Sequence, residues 1–204
     1  MINYPNKKKA NSDKRSESEE MKSRRRKLTA ANRGMDFEHA INASNSYYDD
    51  NGRAIITKRP TPIRVVKVDY SRNARIVDAY FEKQSTTDYN GVYRGRYIDF
   101  ECKETQSATA LSFHNISPHQ IAHLKKVIRH GGIAFFLIYF VKRDEIYLLD
   151  ARVVIDSYEH QEERKSLSYD TIAKKGYLIE QGFIPRIKYL DAVDRVYFYE
   201  EKQT

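Results

Sequence analysis

The sequence predicts an α/β fold, one cored body behind a basic tail, and three observations carry that expectation. Apolar residues repeat at helical spacing after Asp36. Extended runs rich in β-branched and aromatic residues follow from Ala54 onward, and I-A-F-F-L-I-Y-F-V at Ile133–Val141 is apolar without a break. A strand that buries one face alternates, so an unbroken run of that length reads as a central strand covered on both faces. With 204 residues, 40% of them hydrophobic, the chain can bury one substantial core but not a second large domain.

The tail comes first. Residues 1–33 carry eleven Lys and Arg against four Asp and Glu, which places +7 of the chain's formal +8 in that segment. K-K-K at Lys7–Lys9 and R-R-R-K at Arg24–Lys27 lie among Ser and Asn with little that could pack, a composition that predicts disorder. Its expected partner is a polyanion, bound through phosphate contacts and counterion release, with a tail that only solubilises as the alternative. Residues 34–204 form the body.

In the body, Phe37, Ala40, Ile41, Ser44 and Tyr48 share one side of a first helix, and Glu38, Asn42 and Asn45 fall on a different face. Ala54–Thr57 reads as a strand, after which Pro60 and Pro62 enforce an extended link. Ile63–Tyr70 and Ile76–Phe81 are two extended arms around a polar turn at Ser71–Asn73, the pattern of a hairpin. Val92–Lys103 continues as strands that turn at Gly95. Ser117-Pro118 opens a helix that runs through Gln120, Ile121, Leu124, Val127 and Ile128 and stops at Gly131-Gly132. E-I-Y-L-L-D is a strand beside the central one. Two short helices are expected in S-L-S-Y-D-T-I-A-K-K-G and I-K-Y-L-D-A-V-D-R-V-Y-F-Y.

Several function classes drop out. The first residues lack a signal-peptide pattern and the longest apolar run is too short to span a bilayer, so no membrane role and a cytoplasmic location are expected. A single cysteine, Cys102, excludes both an intrachain disulfide framework and a thiolate zinc cluster within one chain.

The chemistry concentrates in S-T-T-D-Y-N-G-V-Y-R-G-R-Y-I-D-F-E-C-K-E-T, where Asp88 precedes a Glu101-x-Lys103 triplet. Alternate side chains of a strand share a face, so Asp99, Glu101 and Lys103 point one way while Phe100 and Cys102 enter the core. A neighbouring strand beginning near Asp88 could set its carboxylate beside Glu101. Two carboxylates with nearby oxygens suit Mg²⁺ or Mn²⁺. Such a metal activates water, and an adjacent lysine orients that water or stabilises charge on a phosphorane, which is the chemistry of phosphodiester hydrolysis. The spacing alone also fits a surface strand with charges facing solvent.

The context narrows the choice. P-T-P-I-R-V-V-K-V-D-Y, then A-Y-F-E-K-Q-S-T-T-D-Y-N-G-V-Y-R-G-R-Y-I-D-F-E-C-K-E-T, H-N-I-S-P-H-Q-I-A-H-L and G-G-I-A-F closely resemble the RecU family of bacterial Holliday junction resolvases. The resemblance covers nearly everything from N-R-G-M at Asn32 to P-R-I-K-Y-L at Leu190. It implies a restriction-endonuclease-like α/β core of the PD-(D/E)xK type, with a central mixed β-sheet flanked by helices and a projecting β-hairpin stalk at about residues 60–81. It also implies a homodimer that nicks four-way junction DNA symmetrically with Mg²⁺ or Mn²⁺, in recombination and repair at the bacterial nucleoid. RecA recombinase and branch migration proteins are the implied protein partners.

By motif position, Thr86, Asp88, Glu101 and Gln120 resemble metal ligands, and Lys103 the transition-state stabiliser. Thr87 competes for the threonine role. Without the resemblance, Gln120 reads as a solvated residue in a first helical turn, while His119 and His123, four apart, would suit zinc except that no third soft ligand is close. Glu38 is a further candidate acid. Arg33 in N-R-G-M, Arg72 in the hairpin turn, and Tyr80 and Phe81 at its base are the candidate DNA contacts. The chain departs from the family pattern at S-R-N-A (Ser71–Ala74), at Cys102, and at S-A-T-A-L-S (Ser107–Ser112). Two other readings stay open: a less selective restriction- or repair-type endonuclease of the same fold, and a junction-binding architectural protein.

Overall fold

Helix α1 (Phe37–Asp50) buries Phe37, Ala40, Ile41, Ser44 and Tyr48, the side that the periodicity selects. The computed structural model describes residues 37–81, 86–160, 162 and 164–198. The basic tail, Arg33 included, lies outside the described residues. Asn45 departs from the expected polar side: it is buried, and its Oδ1 accepts the Tyr189 hydroxyl at 2.6 Å. The reason is tertiary. The C-terminal helix α5 (Tyr189–Tyr197) contributes Tyr189 to the core beneath α1, and a fully buried phenol needs an acceptor.

Strands β1 (Ile55–Lys58), β4 (Tyr89–Tyr93), β5 (Arg96–Thr105), β7 (Ile133–Phe140), β8 (Glu145–Asp150) and β10 (Tyr177–Leu178) form one sheet in the order β1-β4-β5-β7-β8-β10. Only β5 and β7 pair in parallel. That pairing requires a crossover, supplied by helix α2 (Pro118–Arg129). β7 is buried along nearly its whole length, as its unbroken apolar run requires. Its Phe135 and Leu137 join the core beneath α1 and α5, while Ala134, Phe136 and Ile138 join a second core. α2 and helices α3 (Ala151–Glu159) and α4 (Tyr169–Lys175) cover that second face. β4 turns into β5 through Arg94 and Gly95, both at positive φ, 48° and 71°, a two-residue turn whose twist suits adjacent antiparallel strands.

Strands β2 (Ile63–Asp69) and β3 (Arg75–Phe81) pair only with each other, with register shifts at Val66 and Val77. Ile63, Val65, Val66, Ile76, Val77, Tyr80 and Phe81 are all exposed, and no hairpin residue belongs to either core. The hairpin therefore projects, as the resemblance implies. Arg72 lies exposed in its turn.

The sequence reading did not separate α3 from the strand before it, because the apolar run of β8 passes straight into A-R-V-V-I. The boundary is a cap: Asp150 accepts the Arg152 N–H at 2.7 Å, which satisfies a donor at the helix start. Strands β6 (Ala110–Ser112) and β9 (Ser166–Ser168), too short to carry a period, pair as a small second sheet on the α2 side. No helix of the described residues is long and apolar enough to cross a membrane.

Candidate active site

Antiparallel pairing builds the site. Tyr89 stands opposite Phe100, so Asp88, one residue earlier, falls opposite Glu101. Asp88 Oδ2 accepts the Cys102 N–H at 3.1 Å, and the Asp88 N–H donates to Glu101 Oε2 at 3.2 Å. Lys103 Nζ lies 2.7 Å from Glu101 Oε1, and Gln120 Nε2 donates to the same oxygen at 2.6 Å. Two strands and the first turn of α2 thus bring Asp88, Glu101, Lys103 and Gln120 together. Strand alternation places Glu101 and Lys103 on the α2 face, while Phe100 belongs to the opposite core and Cys102 packs, partly buried, against it.

Glu101 is only 2% exposed. Burial and then the Asp88 carboxylate push it up to about 7, with Lys103 pulling the other way. This is the signature of a carboxylate pair short of positive charge. A hard divalent cation matches that deficit, so the residues present fit such an ion. Among the described residues no three His, Cys, Asp or Glu side chains converge as a metal site, which leaves neutral oxygens to complete any shell. Thr86, half-buried and two residues before Asp88, is one such source.

Gln120 is oriented the other way round in this arrangement. Its Oε1 accepts the Ser117 N–H at 3.0 Å, closing the start of α2, so its NH₂ group faces Glu101. A cation beside Glu101 would draw oxygens, and turning the amide about its last bond would present Oε1 there at the expense of the cap.

A second cluster lies two residues upstream on β5. Asp99 is fully buried and accepts from Arg59 Nη2 at 2.6 Å, the Tyr97 hydroxyl at 2.7 Å and the Thr87 hydroxyl, and it pairs with His123 Nε2 at 2.9 Å. Burial alone would raise its carboxyl, but the contacts from His123, Thr87 and Tyr97 hold it below the usual range. Arg59 also donates its backbone N–H to the Asp88 carbonyl at 2.8 Å. Asp99 and Arg59 therefore clamp the segment Thr87–Asp88 from both sides, and Thr87 spends its hydroxyl on Asp99 rather than on the carboxylate pair. His123 is likewise engaged with Asp99.

The sequence held a signal for this clamp. Asp99 shares the Glu101 face of a strand in a buried sheet, and a charge there requires partners. Arg59, forty residues away, carries no local mark. Glu38 sits in the first turn of α1, about half exposed, with its Oε1 2.5 Å from Lys58 Nζ. Lys58 stands opposite Tyr89 in the β1–β4 pair, so this ion pair flanks the Asp88 end of β4. Tyr80 and Phe81 are 51% and 78% exposed at the end of β3.

Residues 32–195 match the family described as Recombination protein U. The Holliday junction resolvase RecU of Shouchella clausii is 48% identical over 172 residues, 83% of each chain. That of Streptococcus gordonii is 45% identical over 197 residues, 96% of each. Among solved structures, the Archaeoglobus fulgidus Holliday junction resolvase Hjc matches half of this chain and 77% of its own at 13% identity, with a TM-score of 0.33. A match that spans the sheet, the hairpin and the Asp88–Lys103 strand pair, at nearly half of all positions, establishes that this chain belongs to the RecU family.

Proposed function

We propose that the protein is an endonuclease that resolves Holliday junctions in recombination and repair by paired symmetric nicks, using Mg²⁺ or Mn²⁺ held between Asp88 and Glu101. The observation that carries this reading is Asp88 set against the buried Glu101 beside Lys103, in a chain whose relatives are Holliday junction resolvases. A divalent ion there supplies Lewis-acid activation of water and of the scissile phosphate. Thr86 and a turned Gln120 amide offer it further oxygens. Lys103, released from Glu101, orients the attacking water or offsets the charge that grows on the phosphorane.

The hairpin enters the junction centre, with Arg72 at its tip and Tyr80 and Phe81 against the unstacked bases at its base. A four-way junction has approximate two-fold symmetry and needs two matched cuts, which supports a two-fold homodimer with one site per chain. The basic segment before residue 34, with Arg33, serves as a DNA-binding arm to the nuclease body. The protein works in the bacterial cytoplasm at the nucleoid during repair. The test is cleavage in Mg²⁺ of end-labelled four-way, forked and linear duplex DNA with the cuts mapped. Symmetric paired nicks confined to the four-way substrate are expected, and equal cutting of the linear duplex would refute junction selectivity.

A further inference from the structure

Residues 34–204 carry 25 Lys and Arg against 24 Asp and Glu, so the body is close to neutral and an unmatched basic cluster on it stands out. One lies on the α2 side of the sheet. A cleft of about 710 Å³ between the β9 strand and helices α3 and α4 is lined by Arg164, Lys165, Lys174 and Lys175 against the carboxylate of Asp156, with the hydroxyls of Ser166 and Thr171 between them. All four cations are exposed. None forms an ion pair with a carboxylate among the described residues, whereas Lys58, Lys125 and Arg152 elsewhere on the body each do.

The position of the cleft supplies a second argument. Lys165 also lines a smaller recess of about 370 Å³ that extends to Pro118 in the first turn of α2. That same turn carries Gln120, whose side chain touches Glu101. The Phe113 N–H bonds the Lys165 carbonyl at 3.1 Å, which fixes the wall shared by the two depressions. Phe113 and Lys165 line both depressions, so a trough runs from Pro118, two residues before Gln120, past Lys165 to Lys174 and Lys175.

We infer that this trough is a phosphate track that holds the backbone of the junction arm flanking the cut, an interaction site separate from the hairpin and the basic tail. The inference rests on the reading of the protein as a junction endonuclease. Unpaired lysines and an arginine with short hydroxyl side chains between them are the groups that contact a DNA backbone without reading its bases. The trough ends at Pro118, in the helical turn that also carries Gln120, and this nearness to the site where the phosphodiester must lie favours DNA over an acidic protein, which would not need to bind beside that turn.

The experiment replaces Arg164, Lys165, Lys174 and Lys175 by Ala together in the full chain, with thermal melting as the check that these exposed substitutions leave the fold intact. Binding to four-way junctions is titrated against salt in Ca²⁺, using long arms of two helical turns and short arms of half a turn. Since each phosphate contact contributes nearly one unit to the slope of log K against log salt, the variant's slope on long arms should be shallower by about 2 to 4 units. On short arms, which do not reach along the trough, variant and wild type should coincide. Wild-type slopes on both substrates overturn the track, and if the variant at the same time loses affinity for poly-glutamate the cleft belongs to an acidic protein partner. Cleavage of four-way against linear DNA by the wild type in Mg²⁺ tests the underlying reading separately. A wild type that cuts junctions selectively while the variant keeps its slope sinks this inference alone.

Discussion

Replacing Glu101 by Gln removes a charge that the fold holds at a cost. The folded carboxyl sits at about 7 against an ordinary 4.5, and at about 1.4 kcal/mol per unit this is a penalty of about 3 kcal/mol once the group is ionised. The sign follows from the direction of the shift. An acid whose folded pKa is raised stabilises fully below its unfolded value, and that stability is lost as pH climbs through about 7. A neutral amide in its place would carry no such loss. It would still forfeit a contact, because Oε1 takes Gln120 and Lys103 while Oε2 takes the Asp88 N–H; an NH₂ group replacing either oxygen costs about 1 to 2 kcal/mol. E101Q should therefore be less stable than wild type near pH 4 by about 1 to 2 kcal/mol and more stable near pH 8 by a similar amount, so the difference changes sign. Urea unfolding in EDTA, followed by circular dichroism at a series of pH values, measures it. A stability difference that does not vary with pH would refute the reasoning, since it would mean that Glu101 ionises in the fold as easily as in the open chain. Adding Mg²⁺ should then raise the midpoint of the wild type and leave that of E101Q nearly unmoved.

Lys103→Ala should lower junction cutting by about 10²-fold or more while junction affinity in Ca²⁺ stays close to wild type; a variant that cuts at the wild-type rate removes Lys103 from the chemistry. Asp99→Ala leaves the Arg59 guanidinium without its buried partner, and a loss of about 3 kcal/mol in urea unfolding is expected, together with slower cutting as the Thr87–Asp88 segment loosens. An Arg59/Asp99 double-mutant cycle showing no coupling would contradict the clamp. Gly91→Ala puts a methyl group into the Ile55 carbonyl of the neighbouring strand, so β1 must shift from β4; a loss of about 2 kcal/mol or more is expected by thermal or urea unfolding. Deleting residues 1–33 should make the salt dependence of junction binding shallower by about 3 to 6 units and leave the melting temperature unchanged; an equal slope would show that the tail does not bind DNA.

The amino-acid order by itself determined the elements with a clear period, the hairpin arms and the buried central strand, because periodicity and turn chemistry are local properties. It also determined which side chains of β5 share a face, and so set Glu101 and Lys103 together with Asp99. The same strand reasoning offered Asp88 as a partner for Glu101, and family resemblance then singled out Gln120, which no local rule distinguishes from an ordinary polar residue. Tertiary structure decided the rest. Opposition of Asp88 to Glu101 depends on strand register across a turn, and burial of Asn45 depends on a tyrosine 144 residues away. Contact between Arg59 and Asp99 depends on β1, β4 and β5 lying side by side. The trough past Lys165 exists only because β9 returns to pair with β6 beside α2. Charges in a sequence report their number and sign, but whether they meet a partner, a cation or a phosphate is set by which distant segments the fold brings within a few ångströms, where Coulomb forces in a poorly solvated site become large.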